Sequence, residues 1–281
     1  MTEEIRLRAN GLDFRALATG PEAGELVLLL HGFPEGAESW TPQLDRLASA
    51  GFRAVAPDLR GYGGSDAPAG EAAYAIEVLV EDVRDLVAVL GRERVHLAGH
   101  DWGSVVGWAT ASVHPELLLT WTALSVPHPY EWQRAALIDP DQQARSSYIQ
   151  LFLVEGKAEE VLSAGGHQRL IAMYQGVMPE RTVDRYVRSM SRPGRLTAAL
   201  NYYRANLRPG GSFDGYRNPV RVPTMLIWGS ADMALGRVPV EATGKHVEAR
   251  YRLEILEGAG HWLQFERAQE VSDLLVQNVS S

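Results

Sequence analysis

The alternation of short apolar runs with helical patterns is the feature that most restricts how this chain can fold. Strands that alternate with amphipathic helices form a mostly parallel sheet covered on both faces. We therefore predict an α/β fold with an eight-stranded, mostly parallel sheet and helices on both of its faces. The predicted strands are residues 5–8, 14–18, 26–30, 53–56, 95–98, 119–124, 222–228 and 251–256, and the predicted helices lie near 38–50, 76–90 and 105–113 and from 268 onward.

The pattern changes in the middle of the chain, where no strand is predicted between about residues 130 and 216. Helical periodicity fills this stretch, and Gly165-Gly166 and Arg192-Pro193-Gly194 interrupt it. A helical insert between two parts of one sheet is typical of a cap over the carboxyl ends of the strands, where open α/β sheets bind ligands. We predict a core of residues 1–129 and 217–281 and a helical cap of residues 130–216, inserted after the sixth strand.

The composition limits the chemistry and the partners. The chain has no cysteine, which excludes disulfides, thiolate metal sites and a cysteine nucleophile. A net charge of −8 with scattered basic residues disfavours nucleic acid or an anionic membrane as a partner. The first residues, MTEEIRLRAN, lack the pattern of a signal peptide, and the densest apolar run, 26–30, is far shorter than the roughly 20 residues that span a bilayer. We expect a cytoplasmic monomer or homodimer that acts on a small molecule.

The fifth predicted strand leads into Gly99-His100-Asp101-Trp102-Gly103 and then into a helix. This is the G-x-nucleophile-x-G arrangement, a tight strand-to-helix turn that exposes its central side chain. The central residue here is Asp101, so we predict a carboxylate nucleophile. A Gly-x-Asp-x-Gly string alone is common in loops, and the flanking strand and helix therefore carry the prediction. Ser104 lies outside the turn and is interpreted as a small residue that starts the helix.

A second strand end supplies a candidate oxyanion hole. Residues 26–30 lead into His31-Gly32-Phe33-Pro34-Glu35. We predict that the backbone N–H groups of Phe33 and Trp102 face the oxyanion that develops during the reaction. The alternative interpretation of this segment is a plain turn that closes a buried strand.

The base and its partner are expected to follow the nucleophile in the chain order nucleophile, acid, histidine. Asp232 follows the strand 222–228, and His261 follows the last strand in a glycine-rich turn that opens a helix. We predict Asp232 as the acid and His261 as the base, because three strand-end positions occur in the right order. His31 and His100 flank this site and are interpreted as supporting residues.

Six segments together resemble the epoxide hydrolases of the α/β-hydrolase superfamily. They are HGFPE at 31–35, DLRGYGGSD at 58–66, GHDWG at 99–103, SVPHP at 125–129, WGSAD at 228–232 and GAGHW at 258–262. The resemblance covers nearly the whole chain, and the cap is its most variable part. It implies an α/β-hydrolase fold and hydrolysis of an epoxide to a vicinal diol through a covalent ester on Asp101. It also implies that no metal and no organic cofactor takes part.

The resemblance further implies two cap tyrosines that donate hydrogen bonds to the oxirane oxygen. The segment 147–152 resembles the one that carries the first, here Tyr148, and 200–204 resembles the one that carries the second, here Tyr203. A phenol with a pKa of about 10 can protonate an alkoxide and stays protonated at neutral pH. The alternative is that both are amphipathic aromatics packed on cap helices. Glu35 is expected to help position the water, with an exposed surface carboxylate as the alternative.

Three other functions compete with epoxide hydrolysis. A haloalkane or haloacetate dehalogenase would use the same nucleophile, base and acid, and Trp102 is able to donate a hydrogen bond to a halide. However, many haloalkane dehalogenases have Asn in place of Phe33, and haloacetate dehalogenases tend to have Arg in place of Trp102. An esterase with a hidden serine and a non-catalytic ligand receptor are the remaining alternatives. Four apolar cap residues are candidates for the pocket lining: Phe152, Leu153, Met173 and Met178.

Overall fold

The computed structural model describes residues 1–174, 176–208 and 218–281. These residues form an eight-stranded sheet, as predicted. The strands are β1 (Glu3–Ala9), β2 (Leu12–Thr19), β3 (Leu26–Leu30), β4 (Arg53–Pro57), β5 (Val95–His100), β6 (Leu118–Leu124), β7 (Thr224–Gly229) and β8 (Tyr251–Leu256). Their order in the sheet is β1-β2-β4-β3-β5-β6-β7-β8. The β1–β2 and β2–β4 pairs are antiparallel, and the other neighbours are parallel.

Helices cover both faces of the sheet. The described α-helices are α1 (Thr41–Ser49), α2 (Ile76–Val89), α3 (Trp102–Val113), α4 (Pro129–Ile138), α5 (Pro140–Arg145), α6 (Ile149–Phe152), α7 (Lys157–Met173), α8 (Glu180–Met190), α9 (Arg195–Leu207), α10 (Arg237–Ala242), α11 (Leu263–Glu266) and α12 (Ala268–Val279). The helices α1 and α12 pack with Leu29 and Ile227 in one apolar cluster, whereas α2 and α3 pack with Leu28 and Leu226 in another. Successive strand residues therefore enter separate cores, as in a sheet buried on both sides.

The helices α4 to α9 lie between β6 and β7, so the predicted helical insertion after the sixth strand is confirmed. Left-handed backbone angles at Gly165 and Gly166 interrupt α7 where the sequence predicted a break. Residues 216 and 217, the predicted end of the cap and resumption of the core, lie outside the described residues, and the domain limits stay a prediction. None of the described helices has the length and apolarity needed to cross a bilayer.

The predicted boundaries differ from the structure by up to three residues, and two of these differences have a clear local reason. The helix α3 begins at Trp102, about three residues before the predicted start, because the turn at the end of β5 leads into it directly. A Cβ atom on Gly107 of this helix would lie 2.0 Å from the Trp121 ring, so only glycine lets α3 approach the sheet this closely. The strand β7 begins at Thr224, two residues late, since Pro223 has no N–H to donate to a neighbouring strand.

The parallel part of the sheet brings the predicted site segments to one edge. The strand β5 is buried along its whole length between β3 and β6. The carboxyl ends of β3, β5, β7 and β8 all point to the same edge, because these strands run in the same direction. The segments that follow these four strands carry the predicted nucleophile, oxyanion donors, acid and base.

Candidate active site

Asp101 occupies a strained turn between β5 and α3. Its backbone angles are φ 50° and ψ −119°, a conformation that residues other than glycine rarely adopt. A Cβ atom on Gly99 would lie 2.3 Å from the carbonyl oxygen of Gly103, so the turn has no room for a larger residue there. The side chain of Asp101 is 14% exposed and faces a cavity between the sheet and the inserted helices.

The loop after β3 lies against the Asp101 carboxylate. The backbone N–H of Phe33 donates a hydrogen bond of 2.7 Å to Asp101 Oδ1. A Cβ atom on Gly32 would lie 2.3 Å from Asp101 Cβ, which explains glycine at that position. Trp102 is the first residue of α3, so its N–H has no acceptor within the helix. The two predicted oxyanion donors therefore both lie beside the predicted nucleophile.

His261 and Asp232 form a buried pair next to Asp101. Asp232 Oδ2 lies 2.9 Å from His261 Nδ1, and Asp101 Oδ2 lies 3.7 Å from His261 Nε2. The other oxygen of Asp232 accepts hydrogen bonds from the N–H groups of Ala234 and Leu235, at 2.7 and 3.1 Å. Asp232 is thus held by its own loop and fixes the ring of His261 with Nε2 toward the nucleophile.

Charge interactions set the protonation of this group. Burial disfavours the ionised form of Asp101, but His261, His100 and the Phe33 N–H outweigh it and hold the pKa of Asp101 below its ordinary value. Burial disfavours the charged form of His261 as well. Even so, the carboxylates of Asp232 and Asp101 raise the pKa of His261 well above its ordinary value. In the free site these interactions therefore favour the ionised form of Asp101 and the protonated form of His261.

Both predicted tyrosines come from the insert and line the same cavity as Asp101. Tyr148 immediately precedes α6, and Tyr203 lies in α9. Their rings meet edge to face at 6.3 Å, and Tyr203 also packs on Trp102 at 5.1 Å. Burial and the charge of Asp101 raise the pKa of each tyrosine above its ordinary value, so both hydroxyls stay protonated.

The cavity has two apolar lobes that meet at Asp101, Tyr148 and Tyr203. The space between the lining atoms, including its opening to solvent, is about 500 Å³ in one lobe and 510 Å³ in the other. Side chains of the first lobe include Trp102, Val105, Val126, Trp132, Ile149 and Leu207. Side chains of the second include Phe33, Phe152, Met173, Met233, His261 and Trp262. Of the four predicted pocket residues, Phe152 and Met173 line the cavity, whereas Leu153 and Met178 lie outside its described lining.

Comparisons with known proteins agree with the fold. A family model for the alpha/beta hydrolase fold matches residues 25–268. Epoxide hydrolase 3 of Xenopus tropicalis is 37% identical over 281 aligned residues, which cover 96% of this chain and 76% of that protein. This chain belongs to the epoxide hydrolase family. The predicted resemblance and the predicted α/β-hydrolase fold are thereby confirmed.

Two further relatives place this epoxide hydrolase family member in its superfamily. The crystal structure of epoxide hydrolase A from Mycobacterium thermoresistibile matches with a TM-score of 0.86 at 29% identity, covering 100% of this chain and 99% of that chain. An AB hydrolase superfamily protein of Bacillus subtilis is 35% identical over 96% of this chain and 96% of that protein.

In this family member Glu35 is buried, so the alternative of an exposed surface carboxylate is wrong. Glu35 is 1% exposed, and its Oε2 lies 3.0 Å from His100 Nδ1 and accepts a hydrogen bond of 3.3 Å from the Gly32 N–H. Its Oε1 accepts a hydrogen bond of 2.9 Å from Gln264 Nε2. The other ring nitrogen of His100 donates to the carbonyl oxygen of His261, at 2.9 Å. Glu35 is therefore connected to the backbone of the predicted base.

Sequence reasoning left His100 without a defined partner and missed Gln264 altogether. Gln264 lies in the short helix α11, and nothing in its spacing distinguishes it from an ordinary polar helix residue. The only sequence clue to both residues is that His100 directly precedes Asp101 and that Gln264 follows His261 by three positions. Within the described ranges, no group of three or more His, Cys, Asp or Glu side chains has the arrangement of a metal site.

The strain at Asp101 predicts an unusual order of stability for two variants at this position. Asp101→Gly should be more stable than Asp101→Ala by about 0.5–2 kcal/mol, because glycine relieves backbone strain of about 1–3 kcal/mol that alanine retains. Urea unfolding of both variants measures this difference. At Ser104, inside α3, the alanine and glycine variants should show the reverse order, with Ser104→Ala more stable than Ser104→Gly by about 0.5–1 kcal/mol. If alanine were the more stable residue at position 101 as well, the turn would not be strained.

Proposed function

We propose that this chain hydrolyses an epoxide to a vicinal diol through a covalent ester on Asp101. The observation that carries the proposal is that Asp101 lines one cavity together with Tyr148 and Tyr203 and lies beside His261. The names of the relatives support the same reaction. The apolar lobes suit a substrate whose carbon substituents are neutral and apolar.

In the first step, an oxygen of Asp101 attacks one oxirane carbon and breaks its bond to the ring oxygen. The low pKa of Asp101 keeps it ionised and nucleophilic at neutral pH. The leaving oxygen carries a developing negative charge, and Tyr148 and Tyr203 are proposed to donate hydrogen bonds and a proton to it. The product is an ester of Asp101 that carries a neighbouring hydroxyl group.

In the second step, His261 is proposed to remove a proton from water, and the resulting hydroxide attacks the ester carbonyl carbon. Ester formation removes the charge of Asp101, so the pKa of His261 falls, and its proton returns to the tyrosinate left by the first step. The neutral ring can then act as a base. The N–H groups of Phe33 and Trp102 would stabilise the tetrahedral oxyanion. Its collapse expels the second diol oxygen, which takes the proton from His261. The Asp101 carboxylic acid released at the same time gives its proton to His261, which restores the starting site. The steps balance without a metal or an organic cofactor.

Glu35 is proposed to help hold the hydrolytic water on the side of His261. Two contacts support this role: the hydrogen bond from the Gly32 N–H, one peptide before Phe33, and the connection through His100 to His261. A carboxylate in this position would favour the imidazolium that forms as the water loses its proton.

Replacement of His261 should separate the two steps. In His261→Gln the ester should form but not hydrolyse, because the base is absent while Asp101 remains. Intact-protein mass spectrometry after addition of styrene oxide should then show a species heavier by the mass of one substrate molecule. The control Asp101→Ala should show no added mass. An unmodified His261→Gln protein that still forms diol would contradict the proposal.

Replacement of the tyrosines tests whether the leaving group is an oxygen, as in an epoxide, or a halide. Tyr148→Phe combined with Tyr203→Phe should lower the rate of ester formation from styrene oxide by about 10²- to 10⁴-fold, the usual contribution of general acid catalysis. The matched control is Tyr202→Phe, since the hydroxyl of buried Tyr202 donates to the Arg60 carbonyl, outside the cavity. Faster bromide release from a bromoalkane than diol formation by the unmodified protein would instead favour a dehalogenase.

A further inference from the structure

A buried glutamine of the insert holds the loop that carries Asp232. Gln142 lies in α5 and is fully buried, with its amide group bonded on both sides. Its oxygen accepts a hydrogen bond of 2.8 Å from the Gly236 N–H, and its nitrogen donates one of 2.9 Å to the Ala234 carbonyl. The same nitrogen donates to Ser146 Oγ at 2.9 Å. A side chain of the insert thus fixes two backbone groups of residues 232–236, the loop that carries Asp232 and is called the acid loop below.

Arg145 adds a second contact one turn further along α5. Its Nη1 donates a hydrogen bond to the carbonyl oxygen of Asp232, and its Nε pairs with Asp141 at 2.8 Å. The backbone of residues 232–236 therefore forms hydrogen bonds with side chains of α5 at three positions. On the other side of the same loop, the N–H groups of Ala234 and Leu235 hold the Asp232 carboxylate. A displacement of this loop would carry the carboxylate away from His261.

The same short helix leads directly to the first tyrosine. After α5 ends at Arg145, the Ser147 N–H donates to the Ala144 carbonyl at 3.2 Å, and the Ile149 N–H donates to the Ser146 carbonyl at 3.1 Å. Tyr148 lies between these two bonded positions. The backbone from α5 to Tyr148 is therefore a continuous hydrogen-bonded segment whose other attachment is the acid loop.

We infer that Gln142 is a positioning residue that connects the acid of the second step, Asp232, with the proton donor of the first step, Tyr148. It does not line the described cavity and acts through these two residues. The inference rests on the proposed function, because it assigns a role in each of the two proposed steps. It also gives the helical insert a task in ester hydrolysis besides covering the cavity.

Gln142→Leu tests this connection, because leucine leaves the Gly236 N–H and the Ala234 carbonyl without their buried partner. Single-turnover mass spectrometry with styrene oxide follows ester formation and ester decay between pH 5 and pH 10. Rates are taken only from molecules that become alkylated, so that loss of folded protein does not affect them. We expect ester decay to slow by about 10- to 100-fold and ester formation to slow as well, as small displacements of catalytic groups do.

The pH profile supplies a readout that a merely structural role would not change. The charged and titratable groups facing His261 are Asp101 after β5, Asp232 after β7 and the ring of His100. In the ester Asp101 is uncharged, so Asp232 is the main group that raises the pKa of His261. A less firmly held Asp232 lowers that pKa. The rate of ester decay rises with pH, and the midpoint of this rise should therefore lie at lower pH in Gln142→Leu than in the unmodified protein.

The neighbouring exposed residue provides the control. Gln143 donates its amide to the Leu137 carbonyl, so Gln143→Leu should keep both rates and the midpoint of the unmodified protein. Arg145→Met, at a partly exposed position, should reproduce the effects of Gln142→Leu if that variant does not fold. Unchanged rates and midpoint in the folded variant would overturn the inference while the proposed function stands. Absence of an ester in the unmodified protein would overturn the proposed function and the inference together.

Discussion

The strained backbone of Asp101 is the constraint on which the rest of the site depends. The turn is stable only because glycines let the surrounding backbone approach it, at Gly99 and Gly103 within the turn and at Gly32 across from it. The same closeness brings the Phe33 N–H to the carboxylate. A side chain in this position points away from the sheet into the cavity, where the insert supplies an apolar surface and two phenols.

The site uses one histidine between two carboxylates, and this arrangement suits a reaction in two steps. While Asp101 is ionised, it and Asp232 favour the protonated form of His261. In the proposed reaction, conversion of Asp101 to a neutral ester would leave only Asp232 to favour that form, and His261 would become free to act as a base. The proposed first step would thus prepare the group that the second step needs.

The order of Asp101, Asp232 and His261 could be predicted because each follows an apolar strand, and parallel strands bring their ends to one edge. The burial of Glu35 and the role of Gln142 could not be predicted in the same way. Gln264, which holds Glu35, is 229 residues away in the chain, and the two backbone partners of Gln142 are 92 and 94 residues away. Helix periodicity carries no sign of such distant partners. The tyrosines were predicted only through the resemblance, since aromatic residues on helices are common in any core.

The most direct test of the covalent account is a single turnover in ¹⁸O-labelled water with enzyme in excess over styrene oxide. If Asp101 forms the ester and water attacks its carbonyl carbon, the new diol oxygen comes from the aspartate. The first diol should therefore contain no ¹⁸O, and the label should be found in the Asp101 carboxylate. Diol that carries one ¹⁸O atom from the first turnover would mean that water attacks the epoxide directly, and would contradict the account.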